Sequence, residues 1–139
     1  MAFRCAMAAA AGSGLGGLAR FGAGHAFAAM GAAAAWATLF ANVSGCFAMG
    51  VAAGRIGGWP GTPRQHFWMT GFCGGYTTFS AFAWATMEWL RAGEARLAGY
   101  YAAGNFGLCL VAAWAGLGAV AWARRRSAAK PPCRRRGKF

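Results

Sequence analysis

Carboxylates are nearly absent from this chain. Glu88 and Glu94 are its two acids, against fourteen lysines and arginines. Charged residues of either sign fill 12% of its 139 positions, about half of what a soluble domain uses to keep its surface wetted. That shortage argues against a water-soluble globule. Paired cysteines are missing too. Cys5, Cys46, Cys73, Cys109 and Cys133 contain no CxxC, and three of them lie in apolar runs, so buried free thiols are expected rather than disulfides or zinc. His25 and His66 stand alone, and no nucleophile–base pair is visible, so an enzyme has nothing to stand on. Gly12, Gly14 and Gly17 spell GxGxxG, but without the preceding strand and later acid that a dinucleotide site needs. Asn42-Val43-Ser44 spells a glycosylation sequon inside an apolar run, where no transferase reaches.

What is present is apolar sequence, 58% of the chain, in a length that suits one domain. A membrane helix needs about 20 apolar residues to cross roughly 30 Å of hydrocarbon. Four stretches meet this: about Cys5 to His25, Trp36 to Gly54, His66 to Leu90 and Ala98 to Ala123. The sequence therefore predicts an all-α membrane protein with four transmembrane helices. The break between the first two is marked by Gly31, and the others by GRIGGWPGTPRQ (54–65) and RAGEARLAG (91–99). Arg20 inside the first stretch favours a retained helix over a cleaved signal peptide. Glycines at small-xxx-small spacing, Gly12 with Gly16, Gly50 with Gly54 and Gly71 with Gly75, allow close helix contact where lipid supplies no hydrophobic drive. Four short helices enclose little space, so an oligomer is expected.

Charge divides the chain in two. Eight of the fourteen basic residues lie between Arg124 and Lys138. Residues 1–123 read as the membrane domain and 124–139 as a basic, disordered cytoplasmic tail, a distribution unlike the uniform basic surface of a nucleic-acid binder.

The third stretch carries the chemistry. In GFCGGYTTFSAF (71–82), Gly71, Gly74 and Gly75 weaken a helix and Thr77-Thr78 stiffens the backbone just after them. The midpoint of the stretch falls near Thr78, so a break there lies near mid-membrane, where irregular backbone must line a cavity or be buried in protein. Carbonyls freed at the negative end of a half-helix suit a cation. A glycine-rich packing face on an unbroken helix fits the same residues. Phe79 and Phe82, three apart, share a helical face, and their positive ring edges could line the path of a small anion; ordinary packing is the plainer reading. Asn42 can donate two hydrogen bonds to a dehydrated anion or join helices together. Tyr101, Asn105 and Cys109 recur every four residues as one polar stripe, and Arg20 is the single full charge in mid-span.

These residues resemble the small fluoride channels called Fluc or CrcB-like proteins, over nearly the whole length outside the tail. GGLARF (16–21) looks like that family's Gly-Gly-to-Arg-Tyr signature with Phe21 in place of tyrosine. TLFANVSGCFAMG (38–50) is similar to its Thr-Leu-x-x-Asn-x-x-Gly-x-x-x-x-Gly, and GFCGGYTTFSAF is close to its most specific run. The resemblance implies an antiparallel dimer with two pores in a bacterial inner membrane, exporting fluoride and conferring fluoride resistance. It implies a structural sodium ion on the two-fold axis, held by backbone carbonyls of Gly74 and Thr77. It also implies fluoride contacts from Phe79 and Phe82, a pore role for Asn42, a polar track of Tyr101, Asn105 and Cys109, and Arg20 near the pore mouth. Ser80 and Thr78 supply nearby hydroxyls. The chain departs from the pattern at Ala81 and Ala85, where a hydroxyl and an acid are usual, and at Asn105 and Cys109, where serines are common.

Two rivals share some features. A four-helix multidrug transporter needs an embedded glutamate in its first span, and residues 5–30 hold no acid. A lipid-binding membrane peptide would use the basic tail but needs no Asn42-Phe79-Phe82 constellation. Outside the tail, Arg4, Arg55 and Arg64 on the side of the termini face Arg91 and Arg96 on the other, a weak bias that lets a chain insert both ways. Once made, the tail adds eight charges to the first side. Reporters fused to either terminus should give signal on both membrane faces, provided the spans insert before the tail emerges. Exclusively cytoplasmic signal, with no flux from liposomes holding one orientation, would overturn a homodimer of opposed copies.

Overall fold

The computed structural model describes residues 1–56 and 61–128, whose regular elements are all helices, with no strand among them. Helix α1 (Ala2–Ala29) ends where the chain enters the left-handed region at Gly31, φ +72°. There the N–H groups of Gly31 and Ala32 reach back to the carbonyls of Ala28 and Phe27, closing the last turn. Gly31 is thus the boundary that the sequence marked. Helix α2 (Ala34–Ile56) follows.

The next helix starts earlier than its hydropathy suggests. Thr62 accepts from the Gln65 N–H at 3.3 Å, and Gln65 Oε1 accepts from the Thr62 N–H at 3.0 Å. This capping box, with Pro63 at the first helical position, makes Pro63–Gln65 the opening turn of a helix rather than loop. Residues 57–60 of the expected connection lie outside the described residues. The helix continues through a more widely wound π segment, His66–Cys73, and a last turn, Gly74–Tyr76; the whole is α3 (63–76). Thr77 and Thr78 are extended, with ψ of 158° and 119°, and α4 (Phe79–Arg91) begins with Thr78 as its cap. The third stretch is therefore two half-helices, broken where the sequence placed the break. Helix α5 (Ala95–Ala128) takes in 95–99 of the expected connection and Arg124–Arg126 of the expected tail. Hydrogen bonding carries a helix past the last apolar residue, so hydropathy underestimates both ends. The rest of the tail, 129–139, is outside the described residues.

Among these helices α2 and α5 combine the length and hydropathy needed to cross a membrane. Helix α1 is long but diluted by glycine, alanine and Arg20, while the break leaves α3 and α4 each too short alone.

Two pairs dominate the packing, α2 with α5 and α1 with α3. Both are backbone-to-backbone contacts through glycine. Gly12 and Gly16 of α1 lie against the main chain of Phe67, Phe72 and Tyr76, and a Cβ added at Gly71 would sit 2.6 Å from the Ala9 carbonyl oxygen. Gly50 faces the Ala113 carbonyl and Gly116 faces that of Phe47. Any larger residue would push these helices apart, and dispersion at close range is the main attraction between helices in lipid.

Helices α2 and α5 run in the same direction. Tyr101 donates to the Ala35 carbonyl at 3.1 Å near one end, and Arg124 Nη2 donates to the Arg55 carbonyl at 3.4 Å near the other. Cys5 Sγ lies 3.6 Å from the Gly61 carbonyl oxygen, so both chain ends described here share one end of the bundle with Arg55. Glu88, Arg91, Glu94 and Arg96 occupy the opposite end, around the α4–α5 turn.

Candidate ion pathway at the helix break

Breaking a helix at Thr77-Thr78 strands backbone groups, and Asn42 takes them up. Its Oδ1 accepts from the Thr78 N–H at 2.7 Å and its Nδ2 donates to the Thr78 carbonyl at 3.1 Å. The side-chain amide thereby pairs with both main-chain polar groups of one residue, as a neighbouring strand would. Asn42 can do this because it is buried on the face of α2 against the break, and because Gly45, one turn on, leaves room for Thr77 and Tyr76. Thr78 completes the repair by accepting the Ala81 N–H on its own Oγ1 at 3.3 Å.

Each repair diverts a donor. In an unbroken helix the Thr78 N–H would serve the Gly74 carbonyl, and the Ala81 N–H would serve that of Thr77. Both go elsewhere, so the two carbonyls at the negative end of α3 lose their helical partners. Gly74 is exposed on the single chain, and Arg20 Nε donates to the neighbouring Gly75 carbonyl at 3.3 Å. These are hard oxygen donors, the kind that suit sodium rather than a soft metal.

On its other side Asn42 meets α5. Nδ2 also donates to Asn105 Oδ1 at 3.2 Å, within the buried interior. This contact fixes the orientation of both amides. Since the Thr78 N–H requires Asn42 Oδ1 to face it, Asn42 presents nitrogen to Asn105, which must answer with oxygen. Cys109 Sγ lies 3.8 Å from the same oxygen. Asn105 Nδ2 is left as the one buried side-chain polar atom without a hydrogen-bond partner among the described residues, on a residue 5% exposed.

The contact belongs to a longer seam. Tyr101 and Thr38, Asn105 and Asn42, and Cys109 and Cys46 face one another across α5 and α2, each pair separated by 63 residues. Parallel helices keep register, so a four-residue stripe on one meets a four-residue stripe on the other. The stripe on α5 is readable in sequence. Thr38 and Cys46 were missed, although they stand four residues either side of Asn42 on an apolar helix, which is the signal that could have found them.

The phenylalanines flank the seam. Ring centroids of Phe79 and Phe82 are 5.5 Å apart and tilted by 52°, and Phe82 is 5.5 Å from Tyr101. The structure thus brings Asn42, Phe82, Tyr101, Asn105 and Cys109 together, with Phe79 extending the row outwards at 79% exposure. Ser80 meets the Thr78 hydroxyl at 3.1 Å and lines a cavity of about 530 Å³ with Thr38, Ala81, Ala85 and Glu88. A smaller cavity of about 200 Å³ joins Arg20 to Thr38, Thr78 and Ala81. Arg20 itself is exposed on the single chain and stands apart from the seam.

A broken helix clamped at its midpoint, beside a buried seam of neutral polar side chains and aromatic rings, marks the chain as a helical membrane protein with irregular backbone in its interior. Comparison with known sequences gives the particular family. Residues 7–117 match the CrcB-like protein family (Camphor Resistance, CrcB), and the chain belongs to it. It is 45% identical over 93 residues to a protein of Rhodopseudomonas palustris strain BisB18 named fluoride-specific ion channel FluC 1, covering 62% of this chain and 64% of that one. A FluC of Opitutus terrae is 44% identical over 87 residues, covering 58% and 64%. A FluC of Rhodospirillum centenum is 40% identical over 121 residues, covering 82% and 93%. The chain spans just under two thirds of the length of the first two relatives and nearly all of the third.

The clamp makes a stability test. Asn42→Ala leaves the Thr78 peptide unpaired in the interior and should destabilise the chain by about 1–3 kcal/mol in denaturant titration. Asn42→Asp keeps the acceptor and should fall between. An Ala variant as stable as the parent would show that the break holds itself open without Asn42.

Proposed function

We propose that this chain forms a fluoride-selective passive channel that exports cytoplasmic fluoride and so lowers its toxicity. The observation that carries the reading is Asn105 Nδ2, a buried donor left open in a seam without fixed charge. Fluoride is small and strongly hydrated, so it can shed water only where N–H and O–H donors or ring edges replace it. Asn105 Nδ2 and the edges of Phe79 and Phe82 are such groups, and none carries a charge that would trap the ion; the Tyr101 hydroxyl and the Cys109 thiol, which donate to the Ala35 carbonyl and to Asn105 Oδ1, join them on turning towards the ion. Both donors of Asn42 are engaged with Thr78 and Asn105, so in this reading Asn42 serves the pathway mainly by holding it in shape. Ser80, with the Thr78 hydroxyl, provides donors at the wider cavity, and Arg20 attracts the anion towards its mouth.

Fluoride enters acidified cells as neutral HF and dissociates in the more alkaline cytoplasm. An inside-negative potential then drives the anion out through any passive path, at about 2.3 kcal/mol per charge per 100 mV. No covalent step is needed. The names of the relatives support this reading, and neither rival gains from them.

In the same reading the helices make four spans in a bacterial inner membrane, counting α3 and α4 as one, with residues 124–139 as an appended basic segment. Phe79 and Gly74 are exposed on one chain, and a second copy in the opposite orientation would cover both. It would also bring two sets of Gly74 and Thr77 carbonyls together around a structural sodium ion.

Fluoride efflux from liposomes tests the anion path. Phe79→Ile and Phe82→Ile should each slow efflux by about tenfold, roughly 1.4 kcal/mol at the barrier, while the dimer still assembles. Unchanged flux in both would take the rings out of the mechanism. The sodium site has a separate readout. Replacing sodium by N-methylglucamine should lower the thermal stability of the parent chain, and Asn42→Ala, which removes the clamp that holds the Gly74 and Thr77 carbonyls at the break, should abolish that dependence. Equal sodium dependence in parent and variant would detach the cation from the break.

A further inference from the structure

The seam ends in sulfur on both helices. Cys46 is one turn beyond Asn42 on α2, and Cys109 one turn beyond Asn105 on α5. Parallel register carries the Asn42–Asn105 contact of 3.2 Å forward to the next rung, where the two thiols face each other. One rung further on, Gly50 lies against the Ala113 backbone, so the helices draw closer rather than splay. Cys109 Sγ is held at 3.8 Å from Asn105 Oδ1, inside the polar stripe. Cys73 of α3 lies on the other side of Cys46, yet no three such ligands among the described residues converge on one point. A pair fits a cation that prefers two ligands in line.

We infer that Cys46 and Cys109 together form a site for a soft, thiophilic cation of linear two-coordinate habit, for which mercuric ion is the probe. Two soft thiolates select such an ion over sodium, magnesium or calcium. The charge balance favours it as well. Mercuric chloride meets two thiols; two S–H and two Hg–Cl bonds break, two Hg–S bonds form, and two protons and two chlorides leave. Nothing is oxidised or reduced. The product is neutral, so no charge is stranded among the helices. A metal bridging the two sulfurs pins α2 to α5 beside Asn105 and fills the seam. Its effect on permeation rests on the channel reading above, whereas its binding does not.

The experiment uses the full chain carrying C5A, C73A and C133A, so that the pair holds the remaining thiols. One equivalent of mercuric chloride should consume both thiols, leaving one mercury per chain after desalting. Against a competing monothiol the pair should retain mercury about 100-fold more tightly than the same chain with C46S or C109S added. One equivalent that consumes a single thiol, with a second equivalent taken up by the other to give two mercuries per chain, would overturn the site. So would retention equal to that of the single-thiol variants. Should the triple variant not fold, mercury retention in the parent chain set against C46S and C109S makes the same distinction, since Cys5, Cys73 and Cys133 are common to all three. In liposomes, one equivalent should stop fluoride efflux, and excess dithiol should restore it. Tight binding that leaves efflux untouched would uphold the thiol site and overturn the seam as the anion path.

Discussion

One side-chain amide holds this structure's centre together. By pairing with both main-chain polar groups of Thr78, Asn42 stabilises a helix break that would otherwise strand an N–H and a carbonyl inside the protein. The remaining features follow from that pairing. Gly74 and Thr77 keep free carbonyls because the donors that would satisfy them are diverted. Helix α4 can restart in a new direction and bring Phe82 against the seam, with Phe79 beside it on the outer side. Asn105 is turned so that its nitrogen faces away from Asn42, and so acquires an open donor. A hydroxyl at position 42 could reach one of these partners at most; an apolar residue could reach none.

The same arrangement sets carbonyl acceptors on one side of Asn42 and polar donors on the other. Oxygen atoms at the end of α3 offer negative ends of dipoles, while the seam between α2 and α5 offers N–H, O–H and ring edges. Dipoles of opposite sense lie on either side of Asn42, without a carboxylate among them. In a low-dielectric interior such neutral groups act through their dipoles and add no fixed charge.

Much of this was legible from residues alone, and the gaps have physical causes. Gly31 as a turn and Thr77-Thr78 as a break could be read because backbone weakness is local and written in single residues. The stripe of Tyr101, Asn105 and Cys109 could be read from period four. Helix ends could not, since Thr62 and Gln65 cap α3 by a reciprocal bond that hydropathy does not register, and Arg124–Arg126 extend α5 without being apolar. The partner of the α5 stripe was also hidden. Asn42 stood out as polar, but Thr38 and Cys46 gain meaning only once α2 and α5 are known to run parallel in register. What Asn42 does with its donors was likewise beyond the sequence, which offered joining helices as the commoner role of such a residue and meeting an anion as the other.

The locked orientation of the two asparagines has a consequence for how the chain can vary. Asn105 accepts from Asn42 with one end of its amide and presents a donor with the other, so the positions act as a single unit. A serine at 105 has one hydroxyl to do both jobs. If that hydroxyl turned its hydrogen towards the seam, its oxygen could still receive Asn42; if it turned away, the open donor would vanish. The wider reach of an amide is what lets this chain keep a fixed polarity along the seam instead of a rotating one. Substitutions at 42 and 105 are therefore bound to each other's history, and a change tolerated at one is a change in what the other is allowed to become.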